Sequence, residues 1–171
     1  MEINADIMTR VETDSKLIDD VVDKVVKKYT GSLEEYVDSV KTFLENGVDE
    51  LTVTDLNNMS LRIASYLFFL SSNLEKVGIR QAVSEQVRNE KYNYEYSNNA
   101  KGTIADKQSF AQEQVKEETL VNIIFDKSYK ILKMRYAATD KLVDVIKKII
   151  SARLSEQQLT RKVDMYSVTH E

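Results

Sequence analysis

Proline is missing from this 171-residue chain, glycine occurs four times, and cysteine and tryptophan do not occur at all. Without proline, no helix is stopped by ring sterics, and with so little glycine the composition favours helix nearly throughout. The lack of cysteine excludes a disulfide framework, a thiol nucleophile and a cysteine-based metal site. The single histidine, His170, lies in the last residues, which removes histidine acid–base and zinc chemistry. The most apolar run, Tyr66 to Leu70, is far too short to span a bilayer. No charged segment followed by an apolar stretch opens the chain, so no signal peptide is expected and the implied setting is a reducing cytoplasm. Gly-rich phosphate loops, Ser–His–Asp sets and HExxH are all absent. The carboxylate pairs Asp49/Glu50 and Glu117/Glu118 are adjacent in sequence, so on a helix their members point differently and read as solvated charges. Neither an enzyme nor a cofactor or metal site is expected, and the Asp19/Asp20/Asp23 cluster reads as an exposed acidic face.

What the chain does have is charge, unevenly spread. Residues 1–60 carry 6 basic and 14 acidic side chains, residues 61–120 carry 8 of each, and residues 121–171 carry 10 basic and 6 acidic. That asymmetry has two readings: a basic binding surface with an acidic arm, or pairing between the two ends of one fold.

The organising stretch is Thr103 to about Arg161. Phe125, Tyr129, Leu132, Tyr136, Thr139, Val143, Ile146 and Ile150 alternate at +4 and +3, the spacing of one apolar seam on a helix. Thr103 followed by Asp106 has the form of a capping box. Unbroken, this helix would run roughly 58 residues, about 87 Å. Before it, Leu56, Met59, Ile63, Leu67, Leu70, Leu74 and Val77 form the stripe of another helix, with Thr54 as its N-cap. That stripe shifts at Gly78, where a kink or break is expected, and continues as Ala82, Val83, Val87 and Tyr94. Ser97–Gly102 reads as the turn joining two antiparallel arms. At the N-terminus, Met1 to about Thr13 should fray, and two short helices should follow. Gly31 would end the first of these, Ser32 with Glu35 would cap the second, and Asn46-Gly47 would stop it.

The expected fold is therefore all-α. Residues 1–50 form an acidic helical cap, residues 51–161 a long, coiled-coil-like antiparallel hairpin, and residues 162–171 a loose tail. Ile124, Ile131 and Ile149 widen the long seam beyond what one partner helix covers. Self-association as a homo-oligomer through Phe125, Tyr129, Leu132, Tyr136, Val143, Ile146 and Ile150 is the consequence. The basic set Lys127, Lys130, Lys133, Arg135 and Lys141 flanks that seam as an ordinary solvated edge.

Just before the hairpin tip, Arg88, Tyr92 and Tyr96 fall at i, i+4 and i+8, one helical stripe with Lys91 beside it. Cations interleaved with rings suit single-stranded nucleic acid, because the cations meet phosphates while the rings stack on bases. Lys101 in the turn and Lys107 on the opposing arm could join them. The same residues equally suit packing against the partner helix, with charges paired to Glu90, Glu95 and Glu113, and both readings stay open.

The pattern from Tyr66 to Arg161 resembles the UvsY-like family, recombination mediators of large tailed phages. A basic helix leads into the Tyr-rich stretch Arg88 to Ser97, and a Gly-containing tip, Lys101-Gly102-Thr103-Ile104-Ala105-Asp106-Lys107, follows. A long return helix ends in Ile146-Lys147-Lys148-Ile149-Ile150-Ser151-Ala152-Arg153. The resemblance implies a small helical protein that forms ring-like homo-oligomers in the bacterial host cytoplasm. Such a protein binds single-stranded DNA and helps load a RecA-like recombinase past a single-strand-binding protein. It also implies DNA contact at the basic positions before the tyrosines, here Arg88 and Lys91. The acidic residues 1–50 look like an addition to the family core. The alternative is a helical interaction factor of a phage, an assembly protein or an inhibitor of a host protein, that binds no nucleic acid.

Overall fold

The computed structural model describes residues 5–98 and 102–168, and among these there is no strand. Helix α1 spans Ala5–Gly47, α2 Val53–Asn98, α3 Ile104–Gln114 and α4 Lys116–Val168, with a 3₁₀ turn at Val48–Glu50. The fold is all-α, and its long helices pack on one another. No helix among the described residues is long and apolar enough to cross a membrane.

The N-terminal region departs from the expected pair of short helices. α1 is one helix of 43 residues that begins at Ala5 and runs straight through Gly31. Its buried positions, Val22, Val26, Thr30, Leu33, Val37 and Val40, keep helical spacing on both sides of the glycine. A helical glycine costs about 1 kcal/mol. Burying each apolar side chain fully is worth about 1.5–3 kcal/mol. Continuity therefore wins over the local stop signal, and the Ser32/Glu35 capping box is not used. Thr30, inside this seam, donates its hydroxyl to the Val26 carbonyl (3.1 Å), so its burial leaves no unpaired donor.

Helix α2 starts at Val53, two residues earlier than an N-cap at Thr54 would give. Thr52 and Asp55 cap each other, with Thr52 N donating to Asp55 Oδ2 (3.0 Å) and Asp55 N donating to Thr52 Oγ1 (3.1 Å). The helix does not break at Gly78. The glycine is instead a point of close approach, because a Cβ there would lie 3.1 Å from Cε2 of Tyr129. The Thr103–Asp106 capping box forms as its spacing predicts, and Gly102 before it holds a φ of +117°. The return arm is two helices. Val115, buried with φ −104° and ψ 18°, interrupts it in the bridge region of backbone space. At the far end α4 continues to Val168, so residues 162–168 are helical and not the loose segment expected there; residues 169–171 lie outside the described residues.

The chain divides into two compact units, each built from pieces of α1, α2 and α4. One comprises Gly31–Ser71 with Arg135–Glu171. Its core is Val40 from α1, Leu56, Ile63 and Leu67 from α2, and Val143 and Ile146 from α4, with Tyr136, Ile149 and Ile150 packed against it. Arg62 lies over the Tyr36 ring, 4.4 Å from its centroid. The Arg153 guanidinium donates to the Val48 and Leu51 carbonyls and so closes the α1–α2 turn. Arg135 pairs with Glu34. The other unit comprises Met1–Thr30 with Ser72–Met134. Here Val22, Val26, Val77, Ala111, Val115 and Leu132 are buried together with Thr30, Ser84 and Ser128. Three rungs fix α2 antiparallel to α4: Gly78 at Tyr129, Ser84 at Asn122 (3.2 Å) and Lys91 at Glu118 (2.8 Å).

Two expectations are corrected by this packing. The seam assigned to other subunits is covered by the chain itself, since Leu132 and Ile146 have no exposed surface and Val143 is 5% exposed. Phe125, Tyr129, Tyr136 and Ile150 are half-buried along the same face. Most of the seam is therefore packed within the chain, because α1 supplies the second partner helix that a two-helix hairpin lacks, while Phe125 at its end borders an open groove. The other correction concerns α2 beyond Gly78, where Ala82, Val83, Val87 and Tyr94 all face outward and Ser84 turns inward. Part of the charge asymmetry is also accounted for within each unit, through Lys127–Asp19 (3.5 Å) in one and Arg135–Glu34 in the other. Exposed pairs of this kind contribute about 0–1 kcal/mol each, so they align the helices more than they hold them.

Candidate nucleic-acid interface

The Tyr-rich end of α2 lies in the unit formed by Met1–Thr30 and Ser72–Met134. Because one turn of helix advances 3.6 residues, positions 88, 92 and 96 share a face of α2, and that face is half-buried. Tyr92 and Tyr96 stack on each other with centroids 6.2 Å apart and rings inclined by 15°. Tyr94, on another face, is the open ring of the stretch at 65% exposure.

The cations separate into two kinds. Lys91 Nζ donates to Glu118 Oε1 at 2.8 Å, and the two side chains are partly enclosed. The hydrogen bond to Glu118 raises the Lys91 pKa, and Glu117 and Glu95 add to the effect. The same bond holds the Glu118 carboxyl below its usual range. A phosphate reaching Lys91 must first displace that carboxylate. Arg88 is different. Its Nε is enclosed with no hydrogen-bond partner, and no ion pair or hydrogen bond to its side chain is found among the described residues. A buried donor without an acceptor costs about 1–3 kcal/mol, and more when charged.

Arg88 and Tyr92 together line a cleft of about 720 Å³. The opposite walls bring in Arg10 and Asp14 from α1, and Gln112 and Lys116 from the α3–α4 arm. Arg10 is loosely paired with Asp14 (3.8 Å), and Lys116 with Glu113 (3.1 Å), both exposed. Such pairs exchange readily with other anions. The cleft therefore offers one guanidinium with no partner among the described residues, two cations in weak exposed pairs, an aromatic wall and an amide.

No family model, curated protein or solved structure gives a significant match to this chain.

Of the positions singled out from the sequence, Arg88, Tyr92 and Tyr96 fall on one face, and Lys91 lies beside them with its charge already engaged. Lys107 is half-buried on α3 and does not line the cleft. Lys101 lies outside the described residues. Arg10, Gln112 and Lys116 were not anticipated. Gln112 and Lys116 are spaced i, i+4 but lie on separate helices either side of Val115, so helical spacing alone does not bring them together. Arg10 was hidden because residues 1–13 read as a fraying segment, although Ile7, Val11 and Ile18 already recur at helical intervals.

Proposed function

We propose that this chain is a non-enzymatic single-stranded-DNA-binding protein that acts as a recombination or replication mediator, with DNA seated in the cleft at Arg88 and Tyr92. The observation that carries the reading is Arg88, whose enclosed Nε has no acceptor among the described residues and lies beside an aromatic wall. A phosphate in the cleft would give that guanidinium an acceptor, while Arg10 and Lys116 would exchange exposed carboxylates for it. The rings of Tyr92 and Tyr96 offer outer faces for base stacking. A RecA-like recombinase and a single-strand-binding protein as partners follow from the resemblance alone.

The test is a salt titration of oligonucleotide binding. Three phosphate contacts on a single strand correspond to a slope of log K against log salt of about −2. Between about 50 and 200 mM salt, affinity should then fall roughly twentyfold. Arg88→Ala should reduce the slope by about 0.7. Tyr92→Ala should cost about 1–3 kcal/mol with the slope unchanged. Lys91→Ala should alter the slope less than Arg88→Ala, because Lys91 is held by Glu118. A folded wild-type chain that fails to bind at low salt favours the second reading, a helical interaction factor without nucleic acid. That reading is favoured by Leu61, Phe68 and Phe69 on α2, which are 69%, 73% and 67% exposed.

A further inference from the structure

We infer that two copies of this chain pair about a two-fold axis through an apolar groove between α2 and α4, separate from the cleft. The groove measures about 550 Å³ and lies wholly within the unit formed by Met1–Thr30 and Ser72–Met134. Ile79, Val83 and Val87 of α2 line it at i, i+4 and i+8, and Val121 and Phe125 of α4 face them. Ile79, Val83, Val87 and Val121 are 58%, 51%, 48% and 46% exposed, a contiguous apolar surface with none of the described residues upon it. Contiguous patches of this kind mark interaction sites, whereas isolated exposed aliphatics do not.

Its charges indicate what covers it. Arg80 stands at one end, and Glu117 and Glu118 at the other. The rungs Gly78–Tyr129, Ser84–Asn122 and Lys91–Glu118 set this order, placing Glu117 near the level of Lys91. Arg80 and Lys91 are eleven positions apart, about 16 Å along the helix. A surface with a cation at one end, anions at the other and aliphatics between is its own complement when rotated by half a turn. In an isologous pair each contact occurs twice. Arg80 of each copy then meets the partner's Glu117, and Val83 of each copy meets Val87 of the other on either side of the axis. Among the described residues Arg80 is restrained only by donating to the Tyr29 hydroxyl (3.2 Å), and it stays exposed. This goes beyond the proposed DNA binding and does not require it. It shares only Phe125 with the Phe125–Ile150 seam, whose buried positions Leu132, Val143 and Ile146 take no part in it.

The experiment is sedimentation of the full chain over a micromolar concentration range without nucleic acid, with helix content measured on every variant. Wild type should show a concentration-dependent monomer–dimer equilibrium. Val83→Asp should weaken it at least tenfold while the exposed position leaves helix content unchanged. Arg80→Glu and Glu117→Arg should each weaken it about tenfold, and the double variant should recover most of the loss. Tyr29→Phe, which removes only the intrachain bond to Arg80, should leave the dimer intact. A wild-type chain that remains monomeric throughout would overturn the proposal and leave the groove to a helix of another protein. A folded Val83→Asp that dimerises as well as wild type, or a charge swap without recovery, would overturn it equally. Because no DNA is present, failure here leaves the salt-titration result untouched.

Discussion

Gly31 provides the sharpest test of how α1 is built. If the glycine ended a helix, it would hold a left-handed conformation, and a Cβ there would be strained. In the structure it sits inside α1, and the one glycine with positive φ among the described residues is Gly102. Gly31→Ala should therefore stabilise the chain. An interior helical glycine is about 0.8–1 kcal/mol worse than alanine, partly through the entropy of the unfolded chain. A gain of about 0.4–1 kcal/mol is expected, which raises the melting temperature by roughly 1–4 °C for a chain of this length. Gly102→Ala is the matched control of opposite sign. Its φ is +117°, and an added Cβ would lie 3.0 Å from Cβ of Asp106, the residue that closes the capping box. That substitution should cost about 1–3 kcal/mol. Both are measured by thermal and denaturant unfolding followed by circular dichroism. Loss of 1 kcal/mol or so from Gly31→Ala would refute a continuous α1 and restore a helix end at residue 31.

Gly78→Ala should gain less than Gly31→Ala, because the new Cβ meets the Tyr129 ring at 3.1 Å; in a Tyr129→Ala background it should recover the full helical gain of about 1 kcal/mol, read as coupling in a double-mutant cycle. Leu132→Ala should destabilise the fold by about 2–5 kcal/mol in denaturant titrations at any protein concentration, since Leu132 is core within one chain; a cost that vanishes on dilution would mark it as an intersubunit residue. Asp55, Asp106 and Glu118 all have folded pKa values below their usual ones, the two aspartates through their bonds to Thr52 and Thr103 and Glu118 through Lys91. Each therefore contributes stability that is present above its usual value and lost as pH falls through the folded one. Lys91, raised above 10.5, contributes on the alkaline side, and its share is lost as pH rises through its folded value. Glu118→Gln should flatten the denaturant midpoint at both the acid and the alkaline end, and an unchanged pH profile would count against the Lys91–Glu118 pair.

The helical class was legible because it rests on long periodic patterns, which local exceptions do not erase. The α4 seam from Phe125 to Ile150 is buried or half-buried at every position expected to face inward. What the pattern could not tell was who covers it. A broad apolar face looks the same whether its second neighbour is another subunit or an earlier part of the chain. The choice turned on Gly31, whose local cost of about 1 kcal/mol is small beside the burial on either side of it. The Val115 break was not legible either, since neither proline nor glycine marks it.

The site was legible in part for a related reason. Beyond Gly78 the buried face of α2 is lined by small or polar residues, with Ser84 buried and Gln81 and Arg88 half-buried. Ser84 satisfies its hydroxyl by donating to the Gln81 carbonyl (2.8 Å) and reaching Asn122, so a polar residue occupies a core position without an unpaired group. Hydrophobic periodicity follows the large aliphatics, and here it selects Val83 and Val87, the outward side. The inversion has two consequences at once. It draws Arg88 inward, so that its Nε loses solvent without gaining an acceptor. It also turns Ile79, Val83 and Val87 out to form the groove wall. Ser84 lines that groove as well, so Ser84→Val should break the Ser84–Asn122 rung that joins its two walls. If cleft and groove both depend on close α2–α4 approach at that rung, Ser84→Val should weaken oligonucleotide binding and dimerisation together while helix content is unchanged. Loss of only one would mean that the rung supports that surface alone.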